Sequence, residues 1–129
     1  MLARYKIYRG KRPPDDPLPD GIRQDARFRT KHPLRPTQEI SEHYLADPTE
    51  QAFRAFRTAY RELLAQRFKE DREPFDRLAD LARRNDVFIG CNCPTQKNPR
   101  VDHCHTWLAL EFMQSKYRDL KVSLRHGSA

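Results

Sequence analysis

Three cysteines and two histidines, Cys91, Cys93, His103, Cys104 and His105, fall within fifteen residues of one another. Thiolate and imidazole are zinc ligands, and these types suit a Cys3His set of Cys91, Cys93, Cys104 and either His103 or His105. The Cys-x-Cys step is tighter than the common two-to-four-residue spacing, and two histidines compete for the fourth place. Without a metal, Cys91 and Cys93 read as small buried hydrophobes. A second chemistry is nucleophilic. Cys104 is its thiol, with His105 or His103 as base and Asp102 as a carboxylate that could orient a histidine. Neighbours on a helix diverge too far to face each other easily, which weighs against a direct Cys104–His105 couple. A third chemistry is non-covalent. A helix opening at Cys104 leaves unpaired N–H groups at a positive dipole end, an anion site with the backbone of His105 and the hydroxyl of Thr106 as donors. The same helix end favours a lowered thiol pKa at Cys104. No Gly-rich phosphate loop of either familiar spacing occurs in the chain.

These residues need elements to hold them. Val87-Phe88-Ile89 is an apolar run between amphipathic helices and ends at Gly90, which predicts a central, parallel strand. Ligands in open parallel α/β sheets bind beyond such carboxyl ends. Arg4–Tyr8 alternates polar and apolar and predicts a first strand, which would deliver Arg9, Gly10 and Arg12 to the same rim if the two strands are parallel. Arg9 and Arg12 would clamp the anion, and Gly10 and Gly90 would allow close approach. Prolines at 13, 14, 17 and 19 exclude regular structure to about Gly21. Residues 22–36 are basic and weakly patterned and read as a loop. Thr37 opens a short helix through about Ala46. Asp47-Pro48 restarts the chain as a long helix to about Phe68, Asp47 capping and Pro48 in the first turn. Its apolar side carries Phe53, Phe56, Tyr60, Leu64 and Phe68. A further helix carries Phe75, Leu78, Ala79, Leu81 and Ala82. Another runs from Cys104 to Lys116, and Leu120–Val122 is a possible last strand. The expected fold is α/β, one small domain over residues 1–125 with a short, mostly parallel sheet flanked by helices, and a disordered tail at 126–129.

The 129 residues suffice for one domain with a core of its own. Residues 1–36 hold ten Lys or Arg against four Asp or Glu, nearly all of the net charge of +7. Such an excess draws anions: a small molecule, a nucleotide or nucleic acid. No helix-turn-helix, RNA-recognition or zinc-finger pattern supports the last of these. No apolar run is long enough to span a membrane, and none near the start has signal-peptide length. With an odd, clustered cysteine set, this predicts reduced thiols in a cytoplasmic setting. The sequence fixes neither a cofactor, zinc being the one it suggests, nor an oligomeric state.

From Phe53 to Met113 the chain resembles a bacterial family known as domain of unknown function 488. The segments carrying the likeness are FRAFRTAYRELLAQ, DRLADLARRNDVFIGCNC and CHTWLALEFM. Cys104 and His105 fall on the family's Cys-His pair, and Phe56, Tyr60 and Arg61 on its long-helix signature. The resemblance implies a small α/β domain with a pocket and no settled activity. The chain departs from commoner members in carrying Lys6-Ile7-Tyr8-Arg9-Gly10 in place of Thr-Ile-Gly-His-Ser, and in having Cys91 and Cys93.

Overall fold

In the computed structural model, which describes residues 1–124, the chain runs β1 (Leu2–Lys6), β2 (Ile22–Asp25), α1 (Gln38–Ala46), α2 (Glu50–Glu70), α3 (Glu73–Arg84), β3 (Val87–Cys91) and α4 (His105–Lys116), with a single 3-10 turn at Val101–His103 before α4. The tail expected at 126–129 lies outside the described residues. The three strands form a parallel sheet in the order β1-β3-β2. β3 is central because Val87 and Ile89 are apolar enough to be sealed from both sides, and each is fully buried. The α/β class and the parallel sheet are as the sequence predicts.

Three elements differ from expectation. β1 begins at Leu2, two residues before the alternating segment at Arg4. Leu2, Ala3 and Arg4 are all buried, so this strand has no exposed face to write an alternation. Its start is held by backbone: the terminal ammonium donates to the carbonyls of Ala82 and Asn85, and Leu2 N–H donates to Lys121 O at 2.8 Å. β2 lies inside the stretch read as a loop. It is a four-residue edge strand with one apolar side chain, and its pairing with β3 comes from backbone bonds, including Ile22 N–H to Asp86 O at 2.9 Å. Gly21 turns the chain into it at φ +139°, a conformation open to glycine. The expected last strand reduces to a single bridge, Leu2 with Val122.

Helix starts are set by hydroxyls. Thr37 accepts from Ile40 N–H at 3.2 Å and Thr49 from Ala52 N–H at 3.0 Å. Asp47 therefore does not cap α2; it closes α1, its N–H donating to Tyr44 O. α2 buries Phe53, Phe56, Tyr60 and Leu64 at three- and four-residue steps. The Tyr60 hydroxyl donates to the Leu34 carbonyl at 2.6 Å, fastening the 26–36 segment to α2. α4 packs on β1, β3 and α2, which buries it on more than one face. None of the helices in the described residues is long and apolar enough to cross a membrane.

Candidate functional site

Cys91 is the last residue of β3, Cys93 follows as the chain leaves the sheet, and Cys104 is the N-cap of α4. Cys104 has the extended backbone of a cap, but its side chain makes no capping bond and is free to turn inward. The three sulfurs meet, all within 4.8 Å of one another. No imidazole joins them at that separation among the described residues. The expected Cys3His set is thus assembled as three cysteines without its histidine: His103 is held away on Phe53, and His105, although it lies beside Cys104, turns Nε2 to a backbone carbonyl. His103 stacks on Phe53 with ring centroids 3.7 Å apart and planes 5° from parallel. Its Nδ1 lies 3.5 Å from the Tyr44 hydroxyl and its Nε2 3.9 Å from a Glu50 oxygen. His105 points Nε2 at the Ala26 carbonyl, 2.8 Å away, so that nitrogen carries the proton.

Two residues that the sequence reading did not single out complete the surroundings. Asn98 is 4% exposed and anchors the loop between Cys93 and the 3-10 turn. Its amide donates to Cys93 Sγ at 3.4 Å and to His103 O at 3.2 Å, and its Oδ1 accepts from the Tyr44 hydroxyl at 2.9 Å. Arg4 is 2% exposed. Its Nε donates to Thr106 Oγ1 at 2.9 Å, its Nη2 to the Cys93 carbonyl at 2.5 Å, and its Nη1 has no partner. Thr106 Oγ1 is in turn 3.1 Å from Cys104 Sγ. Since arginine can only donate, the hydroxyl accepts from Arg4, and its own proton is left for the sulfur whenever Cys104 is a thiolate. No pattern in the sequence marks Asn98; a basic residue at an inward strand position could have been flagged only as an anomaly of the alternation.

Of the three sulfurs, Cys104 is the one whose ionisation its neighbours favour. Burial works against ionising Cys104, but its hydrogen bonds with Cys91, Cys93 and His105 pull its pKa well below the ordinary thiol range. The converse holds for its partners. Hydrogen bonding to Cys104 pushes Cys91 up to about 12, and the same bond raises Cys93.

A cavity of about 540 Å³ opens over the cluster, at the carboxyl end of β3, and all three cysteines line it. Phe28, Pro36, Tyr44, Leu45 and Phe56 give it apolar walls, while Arg9, Arg27 and Lys97 bring positive charge. No Asp or Glu lines it. The remaining predicted site residues are placed as follows. His103 and His105 line the cavity. Arg12 lies outside it, ion-paired with Asp16 at 3.3 Å and lying over the Tyr8 ring. Asp102 is bound to Arg100 at 2.8 Å and is likewise not part of the lining, so a Cys104–His105–Asp102 relay is not assembled. Gly10 is exposed, with open space where a Cβ would stand, and Gly90 faces β1's extension: a Cβ there would fall 2.7 Å from both Ile7 Cδ1 and Tyr5 Cε1. Gly90 thus makes room for two side chains of the chain itself. Thr106 is fully buried and meets Arg4 and Cys104 beneath the cavity floor.

No curated protein and no solved structure matches the chain. A family model does match, over residues 15–117, which include the long helix, the central strand, the cysteine cluster and all of α4. The chain therefore belongs to the domain of unknown function 488 family, in the branch described as the Active DUF488-N3 subclade.

Proposed function

We propose that the chain binds a small anionic ligand of mononucleotide size in the cavity over the cysteine cluster. One observation carries this reading: the cavity is lined by Arg9, Arg27 and Lys97 and by no carboxylate. Arg9 and Lys97 offer a charged ligand group positive charge at the lining, and the apolar walls favour a flat or aromatic portion. The amino terminus of α4 adds a smaller contribution of the same sign. Arg27 is already paired with Asp25 at 2.7 Å. Arg9 is exposed and holds no ion pair or side-chain hydrogen bond among the described residues, so it is the clamp best able to reach a ligand. Within the basic run Arg27 is paired with Asp25, while Arg23 and Arg35 keep their charge and are tied to the carbonyls of Pro19 and His32. The subclade's description as active carries the expectation that the bound ligand is also turned over.

Calorimetric titration of the reduced protein with adenosine monophosphate and with inorganic phosphate tests the reading. One site is expected, weakened about tenfold or more in Arg9→Ala, as loss of a charge-assisted hydrogen bond demands, and unchanged in Arg12→Ala. A shallow salt dependence is expected, since few phosphates are neutralised. Absence of binding by either probe, or equal losses in the two variants, refutes it. So does polynucleotide binding with a steep salt slope that exceeds binding of the mononucleotide.

A further inference from the structure

The cysteine cluster has the composition and surroundings of a site in its own right. Around a shared tetrahedral ion with metal–sulfur bonds of about 2.3 Å, sulfurs stand about 3.8 Å apart. Three sulfurs already within 4.8 Å of one another need move little to reach that arrangement. They come from a strand end, a loop and a helix cap, so three separate backbone segments converge on one point. Two of them have donors from outside the cluster: Asn98 Nδ2 at Cys93 Sγ and the Thr106 hydroxyl at Cys104 Sγ. Donors of this kind orient ligating sulfurs and disperse their charge. Arg4 is the independent observation. A buried guanidinium with one nitrogen unpartnered and no carboxylate bonded to it lies one hydroxyl away from the sulfurs. A buried cation is costly unless an anion matches it. Three thiolates around a divalent ion leave one net negative charge, which Arg4 matches.

We propose that Cys91, Cys93 and Cys104 form an open three-thiolate site for a thiophilic divalent cation, zinc foremost, with its fourth position turned to the cavity. Thiolate-only donors select borderline and soft ions over magnesium or calcium. Each cysteine still protonated releases its proton to solvent on ligation, and no redox change is involved. Since all three cysteines line the cavity and no imidazole or carboxylate completes the set, water or a ligand from the cavity takes the fourth place. This inference rests on the sulfurs and Arg4 and stands whether or not the cavity binds an anion.

The test uses the 129-residue chain, reduced and metal-free, titrated anaerobically with Co²⁺. Expected are sulfur-to-cobalt charge-transfer and tetrahedral d–d bands that saturate at one equivalent and are bleached by zinc. X-ray absorption on the zinc-loaded chain should show a sulfur shell at about 2.3 Å. Cys93→Ser, at the least buried of the three, should lower zinc affinity on the order of a hundredfold while leaving the far-ultraviolet circular dichroism unchanged. No charge-transfer band, a zinc shell of nitrogen and oxygen alone, or wild-type affinity in Cys93→Ser overturns the proposal. The absorption measurement needs no variant, so a misfolded substitution leaves the decision intact. None of these readouts involves an anionic ligand, so failure here and failure of the anion reading are told apart.

Discussion

Replacing Arg4 by methionine reads the charge state of the cysteine cluster through stability. The guanidinium is buried, donates to Thr106 Oγ1 at 2.9 Å and to the Cys93 carbonyl at 2.5 Å, and has no carboxylate partner. Methionine keeps the apolar reach of the side chain, so little cavity is created. If Cys104 is a thiolate, the substitution removes two charge-assisted hydrogen bonds, each worth about 1.5–3 kcal/mol, and leaves a buried anion unmatched. Breaking a buried charge pair from one side costs about 3–5 kcal/mol. If all three thiols are neutral, the same two hydrogen bonds are lost, but an unmatched buried cation goes with them and offsets the loss, so the net cost is smaller. The size of the loss, and its coupling to Cys104, therefore decide. Urea unfolding of reduced, metal-free protein is the assay, and the expected result is destabilisation. In a Cys104→Ala background the cost of Arg4→Met should shrink by about 1–3 kcal/mol, the coupling between two groups in one network. Reaction of Cys104 with a thiol reagent should also need higher pH in Arg4→Met than in the parent. An Arg4→Met chain as stable as the parent, with the same thiol titration, refutes the thiolate assignment.

His32 supplies a pH dependence. Burial, followed by the nearby His105, lowers its pKa to about 4, and its Nδ1 already accepts from Leu34 N–H at 3.1 Å, so a second ring proton would break that bond. The unfolded chain takes up the proton near 6.5, so stability is full above that value and is lost as pH falls toward about 4. Roughly 2 kcal/mol should disappear between about pH 7 and about pH 5, and His32→Gln should flatten that slope in urea midpoints measured at the two values. Gly21→Ala should cost about 1–3 kcal/mol or more in thermal unfolding, since its Cβ would stand 2.5 Å from the Asp86 carbonyl at φ +139°. Hydrogen exchange should speed up at Ile22 more than in α2; an unchanged β2 would count against this turn.

What the sequence by itself determined follows from patterns that a single element carries. The aromatic stripe of α2, the apolar run of β3 and the restart at α4 each state their own burial, so class, sheet direction and the place of the cysteine cluster are legible before folding. So is the grouping of three thiols, because a strand end, its following loop and the next helix cap are neighbours along the chain. Tertiary structure decided what depends on distant partners. β2 writes no hydrophobic pattern, because an edge strand is held by backbone bonds to β3. Arg12 and Arg9 are three residues apart in a basic stretch, yet Asp16 captures one and leaves the other at the cavity. The two histidines suit a metal by type, but Phe53 and the Ala26 carbonyl, each more than forty residues away, decide how their rings are turned. Arg4 reads as an ordinary strand residue until the fold closes α4 over it. Burial then turns its charge into a demand for an anion, and no local pattern records a demand made by a neighbour 102 residues along the chain.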